Sequence, residues 1–331
     1  MKAVQIKNYG ASEVLTFIEN LPVPAISDNQ VLVNNYATGL NPHDIYLRKG
    51  MLAPILEESL PIIPGLDIAG KIVMVGKDVK KFKAGDMVYG MMDANESFSS
   101  SGFAKTGAYA EYSVTREDTL SFIPNGISAT EAASIPLVAL TAYQALTKKA
   151  EAKADQKIAI NGASGGVGSM AIQIAHYLKL EVTAVCHTDT NEFVSKLHPK
   201  NIINYDQDDF TAGSDKYDII FDVAGNKSYD LCKDNLTETG LYISNVPTEN
   251  TFKAYHNPEK ENIFGFHNKN RYNWVLPSGE DLEEISKLLI SRHIKPVVTK
   301  VFDFHAVQEA HSYMEQNIAR GKVVLDLKPE S

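Results

Sequence analysis

Between two predicted elements the chain reads Asn161-Gly162-Ala163-Ser164-Gly165-Gly166-Val167-Gly168. Glycines at this density let the backbone approach a bound group closely. A helix that begins among them offers unpaired N–H donors and the positive end of its dipole. The chemistry this suits is pyrophosphate binding. The apolar run Lys157-Ile158-Ala159-Ile160 predicts a strand before the turn, and Ser169 to Leu178 predicts an amphipathic helix after it. That is the context a dinucleotide-binding turn requires. The G-x-G-x-x-G pattern is met in part, with Ala163 in its first position and Gly165 and Gly168 in the other two.

The next predicted strand, Glu181 to Cys186, ends about 18 residues past Gly168, where a carboxylate would hold a ribose 2′-OH. Cys186 is neutral, and His187 and Thr188 are able to donate to a 2′-phosphate. The expected cofactor is therefore NADPH, with NADH as the alternative. Asp189 dissents. It either turns to solvent as the N-cap of a helix from Asn191 onward, or it weakens the preference for a phosphorylated cofactor.

The elements around the turn predict an α/β protein. Up to about residue 125, short β-like runs such as Gln30–Asn34, Ile68–Val75 and Met87–Gly90 are broken by Pro and Gly, which suggests a partly antiparallel β domain. From about Ser128, helices and strands alternate: a helix over Thr130–Lys149, then the strands and helices flanking the glycine turn, a helix over Asn191–Leu197, and strands at Ile202–Asn204, Asp218–Val223 and Leu241–Ser244. This βαβ rhythm implies a parallel sheet covered on both faces. A helix follows over Asp281–Ser291, and the tail returns to strands at Pro296–Val301 and Lys322–Leu327 around a helix over Ala306–Gln316. The reading is a Rossmann domain over 128–294 and a split β-rich domain over 1–127 and 295–331. The Ser- and Gly-rich stretch Asp93–Gly107 reads as a solvated loop or as a lip over a pocket.

A chain of 331 residues has room for two such domains. Its formal charge of −9 argues against nucleic acid or an anionic membrane as the main partner. No apolar run is long enough for a transmembrane helix. The N-terminus lacks the apolar core of a signal peptide, and two cysteines, Cys186 and Cys232, make no disulfide framework, so a cytoplasmic location is expected.

With these pieces in place the sequence resembles the zinc-independent medium-chain dehydrogenase/reductases of the quinone oxidoreductase, or ζ-crystallin-like, family. The resemblance runs in order through Asn41-Pro42-His43-Asp44-Ile45-Tyr46, Pro64-Gly65-Leu66-Asp67-Ile68-Ala69-Gly70, Phe82-Lys83-Ala84-Gly85-Asp86, Gly107-Ala108-Tyr109-Ala110-Glu111-Tyr112 and Leu140-Thr141-Ala142-Tyr143. It continues through the glycine turn, Ile203-Asn204-Tyr205, Phe221-Asp222-Val223-Ala224-Gly225 and Gly321-Lys322-Val323-Val324-Leu325. It implies a twisted GroES-like β domain joined to the Rossmann domain, with the active site between them, and a homodimer paired through sheet edges.

Zinc-dependent relatives place a Cys and a Gly-His-Glu where this chain has Asn41 and Gly65-Leu66-Asp67, and carry a four-Cys lobe that two cysteines cannot build. Zinc requires three or four such ligands, so no metal is expected. Cys186-His187-Thr188-Asp189 spells a zinc-site tetrapeptide, but in the nucleotide domain.

For the cofactor, the resemblance implies that Ser164, Gly165, Gly166 and Val167 hold the pyrophosphate and that Thr141 touches the nicotinamide ribose or phosphate region. Tyr205 would meet the adenosine phosphate, and Val223 and Ala224 the adenine or ribose. Asn245, Val246, Phe264 and Phe266 would flank the nicotinamide, and Lys322 would approach from the tail. Each has a plainer alternative: Thr141 bonding its own helix, Phe264 and Phe266 as strand core, Lys322 as a surface charge.

Without a metal to stabilise an alkoxide, the chemistry shifts to acceptors that take hydride readily: a quinone, or an enone or 2-alkenal. Asn41 and Tyr46, in the pocket segment, are the candidate catalytic donors. Arg48 either nears the cleft or is solvated, and His43 and Asp44 read as surface or capping groups. A reading of another class is a non-catalytic nucleotide- or RNA-binding crystallin-like protein.

Overall fold

The computed structural model describes residues 1–53, 60–93, 107–246, 269–316 and 320–327. An antiparallel pair, β1 (Ala3–Ile6) and β2 (Leu15–Ile18), precedes the long strand β3 (Gln30–Gly39). The short helix α1 (Pro42–Arg48) follows, then β4 (Asp67–Val75), β5 (Met87–Met91), β6 (Tyr112–Arg116) and β7 (Leu120–Phe122). The pairings among β3 to β7 are antiparallel.

The single helix expected over Thr130–Lys149 is three pieces. Helix α2 (Ala129–Ala133) stops before Pro136, and α3 (Pro136–Tyr143) begins on that proline, whose missing N–H costs nothing in a first turn. A π-helical turn, Gln144–Lys149, completes the segment.

The Rossmann half follows: β8 (Lys157–Asn161), α4 (Gly166–Tyr177), β9 (Glu181–Cys186), α5 (Asn191–Ser195), β10 (Asn201–Asn204), β11 (Tyr217–Asp222), α6 (Tyr229–Cys232), β12 (Leu236–Ser244) and β13 (Asn270–Tyr272). These strands form a six-stranded parallel sheet in the order β10-β9-β8-β11-β12-β13. Strands buried on both faces need continuous apolar runs, and Ile158-Ala159-Ile160 and Ile219-Ile220-Phe221 supply them. The strand order reverses between β8 and β11, so a crevice opens at their C-terminal ends.

After α7 (Gly279–Ile290), the tail adds β14 (Val298–Asp303), α8 (Val307–Gln316) and β15 (Lys322–Asp326). β15 lies antiparallel to β3, and β14 parallel to β15, giving a seven-stranded sheet in the order β14-β15-β3-β4-β5-β7 with β6 also on β3. Both sheets contribute to one buried apolar cluster, and the Tyr89 hydroxyl on β5 meets Ser286 Oγ on α7 at 2.8 Å.

Candidate active site

A cavity of about 510 Å³ lies between the two sheets, with the glycine turn along one side and α1 along another. Gly162, with φ of +89°, makes the tight turn after β8. The left-handed position is therefore Gly162, one residue before the Ala163 that the motif alignment placed first; the N–H groups of both residues donate to Val185 O. At Gly168 a Cβ would press on the Gly162 carbonyl, so its absence lets α4 start close against β8. No side chain caps the N-terminus of α4, which leaves its first N–H groups for a ligand. Ser164, Gly165, Gly166 and Val167 all line the cavity here. A flexible, anionic pyrophosphate fits this cradle, and a side chain at Gly166 would fill it against Val138 and Lys322.

The turn is tied to the tail. Gly321 N–H donates to Ser164 O at 2.8 Å, and the next residue, Lys322, is 4% exposed. The Lys322 ammonium donates to Leu40 O (2.8 Å), Asn41 Oδ1 (2.6 Å) and Asp67 Oδ2 (2.9 Å). Lys322 is thus a buried clamp, and the surface-charge alternative fails. The same contacts redefine Asn41. Its amide nitrogen donates to Asp67 Oδ2 (2.9 Å) and Gly39 O (3.3 Å), so in this arrangement it has no proton to offer an acceptor. Asp67 also takes the Leu137 N–H through Oδ1 at 2.7 Å. Burial pushes the Asp67 carboxyl up from its ordinary value, opposed by Lys322, Asn41 and the Leu137 N–H. The donor set at this point is an amide, a carboxylate and an ammonium, and the last repels a metal cation. Among the described residues no group of three or more His, Cys, Asp or Glu is placed to hold a metal ion.

The other expected residues divide. Tyr46, Thr141, Tyr205, Val223, Ala224, Asn245 and Val246 line the cavity. Thr141 spends its hydroxyl proton on Leu137 O, one helical turn back, and keeps only acceptor capacity. His187 and Thr188 are not among the lining residues. His187 packs edge-on to the Tyr205 ring at 5.6 Å and accepts the Asp189 N–H, while the Thr188 N–H goes to Asp206. Asp189 is not the N-cap of α5; that place belongs to Thr190. The Asp189 carboxylate instead faces His187 Nδ1 at 3.5 Å with its side chain largely exposed. Arg48 is neither at the cleft nor solvated: it is fully buried and pairs with Glu315 on α8 at 2.6 Å. Phe264 and Phe266, and most of the Asp93–Gly107 stretch, lie outside the described residues.

Several lining residues were not anticipated. Arg320 reaches Asp189 O at 2.9 Å, which brings a guanidinium to the end of β9. Tyr272 and Trp274, with ring centroids 6.2 Å apart, join Leu52, Leu66 and Met91 in the apolar and aromatic lining of the cavity. Burial holds the Tyr272 phenol well above its usual range, which makes it a poor acid. The chain has one tryptophan, and that rarity was the available signal for this lining.

Fold and site together define a two-domain dehydrogenase/reductase with a dinucleotide cradle facing a GroES-like domain. Residues 27–125 match the alcohol dehydrogenase GroES-like domain family, and 197–325 match the zinc-binding dehydrogenase family. The chain is 31% identical to a chloroplast envelope quinone oxidoreductase homolog of Arabidopsis thaliana, over 98% of both chains. It is 33% identical to an NADPH-dependent alkenal/one oxidoreductase of the same plant, covering 98% of this chain and 79% of the relative. The fold matches that of Escherichia coli quinone oxidoreductase complexed with NADPH, with TM-score 0.80, 26% identity and coverage of 98% and 100%. The chain belongs to the quinone oxidoreductase family of medium-chain dehydrogenase/reductases.

Proposed function

We propose that this protein is an NADPH-dependent oxidoreductase that reduces a quinone without zinc. One observation carries the reading: a single cavity is lined by the glycine cradle together with apolar and aromatic side chains, and the buried Asp67 carboxylate beside it is held by the Lys322 ammonium. A bound nicotinamide dinucleotide supplies hydride. The chain's own residues do the rest. The α4 N-terminus and Gly321 segment hold the pyrophosphate region, Asn245 and Thr141 offer acceptors beside it, and Leu52, Leu66, Met91 and Trp274 exclude water around a planar acceptor.

Arg320 supports the phosphorylated cofactor, since a guanidinium beside the end of β9 suits a 2′-phosphate and balances Asp189. The second reading, an enone or 2-alkenal reductase, is supported by the alkenal/one oxidoreductase relative. Steady-state assays with a quinone and with a 2-alkenal, each with NADPH and NADH, separate the readings. Turnover of neither acceptor rejects both, and salt-sensitive RNA binding without turnover would restore the binding-protein alternative.

A homodimer is part of this proposal, supported by β10 and β13 standing at the two edges of the parallel sheet among the described residues; light scattering at micromolar concentration tests it. So is a cytoplasmic location, supported by two free, buried cysteines. Fractionation of the source cell tests that, and recovery in an organelle would overturn it.

A further inference from the structure

Reducing a quinone or an enone takes a hydride and a proton, and neither Asn41 nor Lys322 has a proton to spare. Asn41 has given both amide protons to Asp67 and Gly39, and the three Lys322 protons go to Leu40, Asn41 and Asp67. His43 stands apart from that clamp. It lies three residues before Tyr46 on α1, so the two share one helix face, and both line the cavity. Its side chain is 24% exposed, enough to reach a bound acceptor and to regain a proton from solvent.

Behind it, Asp44 is wholly buried and tightly placed. Asp44 Oδ2 accepts the Asn41 N–H at 2.9 Å and the Tyr109 hydroxyl at 3.2 Å, and Tyr109 in turn meets His311 Nε2 at 3.1 Å. Those bonds fix the carboxylate so that Oδ1 faces His43 Nδ1 at 3.8 Å. A carboxylate facing one ring nitrogen orients the imidazole, while the other nitrogen serves the reacting group. Such contacts are commonly long before substrate binds and tighten in the complex.

We propose that His43, oriented by Asp44, is the catalytic acid that protonates the acceptor. The inference rests on the quinone or enone reading. As hydride adds to the acceptor, an Nε2–H bond of His43 breaks and an O–H bond forms on the developing hydroquinone or enol oxygen. The imidazole then takes a proton from water, so each turnover consumes one reduced cofactor and one proton. Asp44 acts through His43 and is a positioning residue.

The test compares wild type with His43→Gln, which keeps size and polarity but carries no transferable imidazole proton. With NADPH and 1,4-benzoquinone, kcat is expected to fall about 100-fold, the usual scale for a placed general acid. The KM for NADPH is expected to stay unchanged, the solvent deuterium isotope effect to change, and free imidazole to restore part of the rate to His43→Ala. Wild-type turnover with His43→Gln equal in kcat and isotope effect overturns the role of His43. Failure of wild type with every acceptor overturns the parent reading instead. A readout without cofactor separates the two: 4-nitrophenol, a phenol standing in for the hydroquinone, is expected to shift the His43 side-chain nitrogen NMR signals. Asp44→Asn, if folded by circular dichroism, is expected to weaken that shift. No shift in wild type overturns the assignment.

Discussion

Lys322 Nζ stands 2.9 Å from Asp67 Oδ2 with both side chains out of solvent, although 255 positions separate them in the chain. Taking one partner from a buried ion pair strands the other's charge, at a cost of roughly 3–5 kcal/mol. Lys322→Met is therefore expected to lower the unfolding free energy by about that amount in urea titrations at neutral pH. The double variant Lys322→Met/Asp67→Leu is expected to recover much of the loss, because it removes the stranded carboxylate as well. A single-variant cost under about 1 kcal/mol would show that the pair is not the link it looks to be.

That pair also marks what sequence reading reaches. The glycine turn was legible because strand, turn and helix are local and each carries its own pattern. The return of the tail to the N-terminal strands was legible from strand texture alone. Lys322 could be placed near the cofactor by resemblance, but its burial depends on β15 pairing with β3, a contact between the two ends of the chain. The Arg320 contact with Asp189 spans 131 positions and follows from the same pairing. Asn41 read as a free donor because an isolated Asn-Pro carries no trace of the ammonium and carboxylate that consume its amide. The break in the helix over Thr130–Lys149, by contrast, was written in Pro136, and helical periodicity on both sides concealed it.

The turn itself makes a sharp prediction. At Gly168 an added Cβ meets the Gly162 carbonyl and Ala163 Cα, both backbone, so neither can swing aside. Gly168→Ala must push α4 away from β8 and spoil the pyrophosphate cradle, at an overpacking cost of about 1–3 kcal/mol. NADPH affinity, read by cofactor fluorescence, is expected to drop at least tenfold. Gly213→Ala is the control: it sits in a loop where a Cβ has only one neighbour, at 4.0 Å, and it is expected to leave affinity unchanged.

Arg320 is expected to set cofactor choice. A charge-assisted bond to a phosphate is worth roughly 1.5–3 kcal/mol, so Arg320→Met should cut kcat/KM for NADPH about 10- to 100-fold. NADH, which lacks the 2′-phosphate, should lose little. Asp189→Asn removes the nearby carboxylate and should raise the NADPH preference. Equal losses with both cofactors in Arg320→Met would mean that the guanidinium only braces Asp189 O and the loop after β9.

His311 supplies a stability switch on the acid side. Burial lowers its imidazole from the usual value near 6.5 to about 4, the nearby Asp44 and Glu315 opposing and Arg48 reinforcing. The unfolded chain therefore binds this proton at a higher pH than the folded one. Between about pH 6.5 and pH 4 the unfolded state holds more protons, so stability is fully present above 6.5 and falls as pH drops through that window. The shift corresponds to roughly 3 kcal/mol at its full extent. Protonation would put a second proton on a ring whose Nε2 meets Tyr109 and whose Nδ1 is buried without a partner. Urea midpoints from pH 7.5 to 4.5 should decline more steeply for wild type than for His311→Gln, which has nothing to titrate there. A loss of stability in His311→Gln that is constant across the range, with parallel slopes, would show that the ring packs α8 against Tyr109 but carries no acid sensitivity.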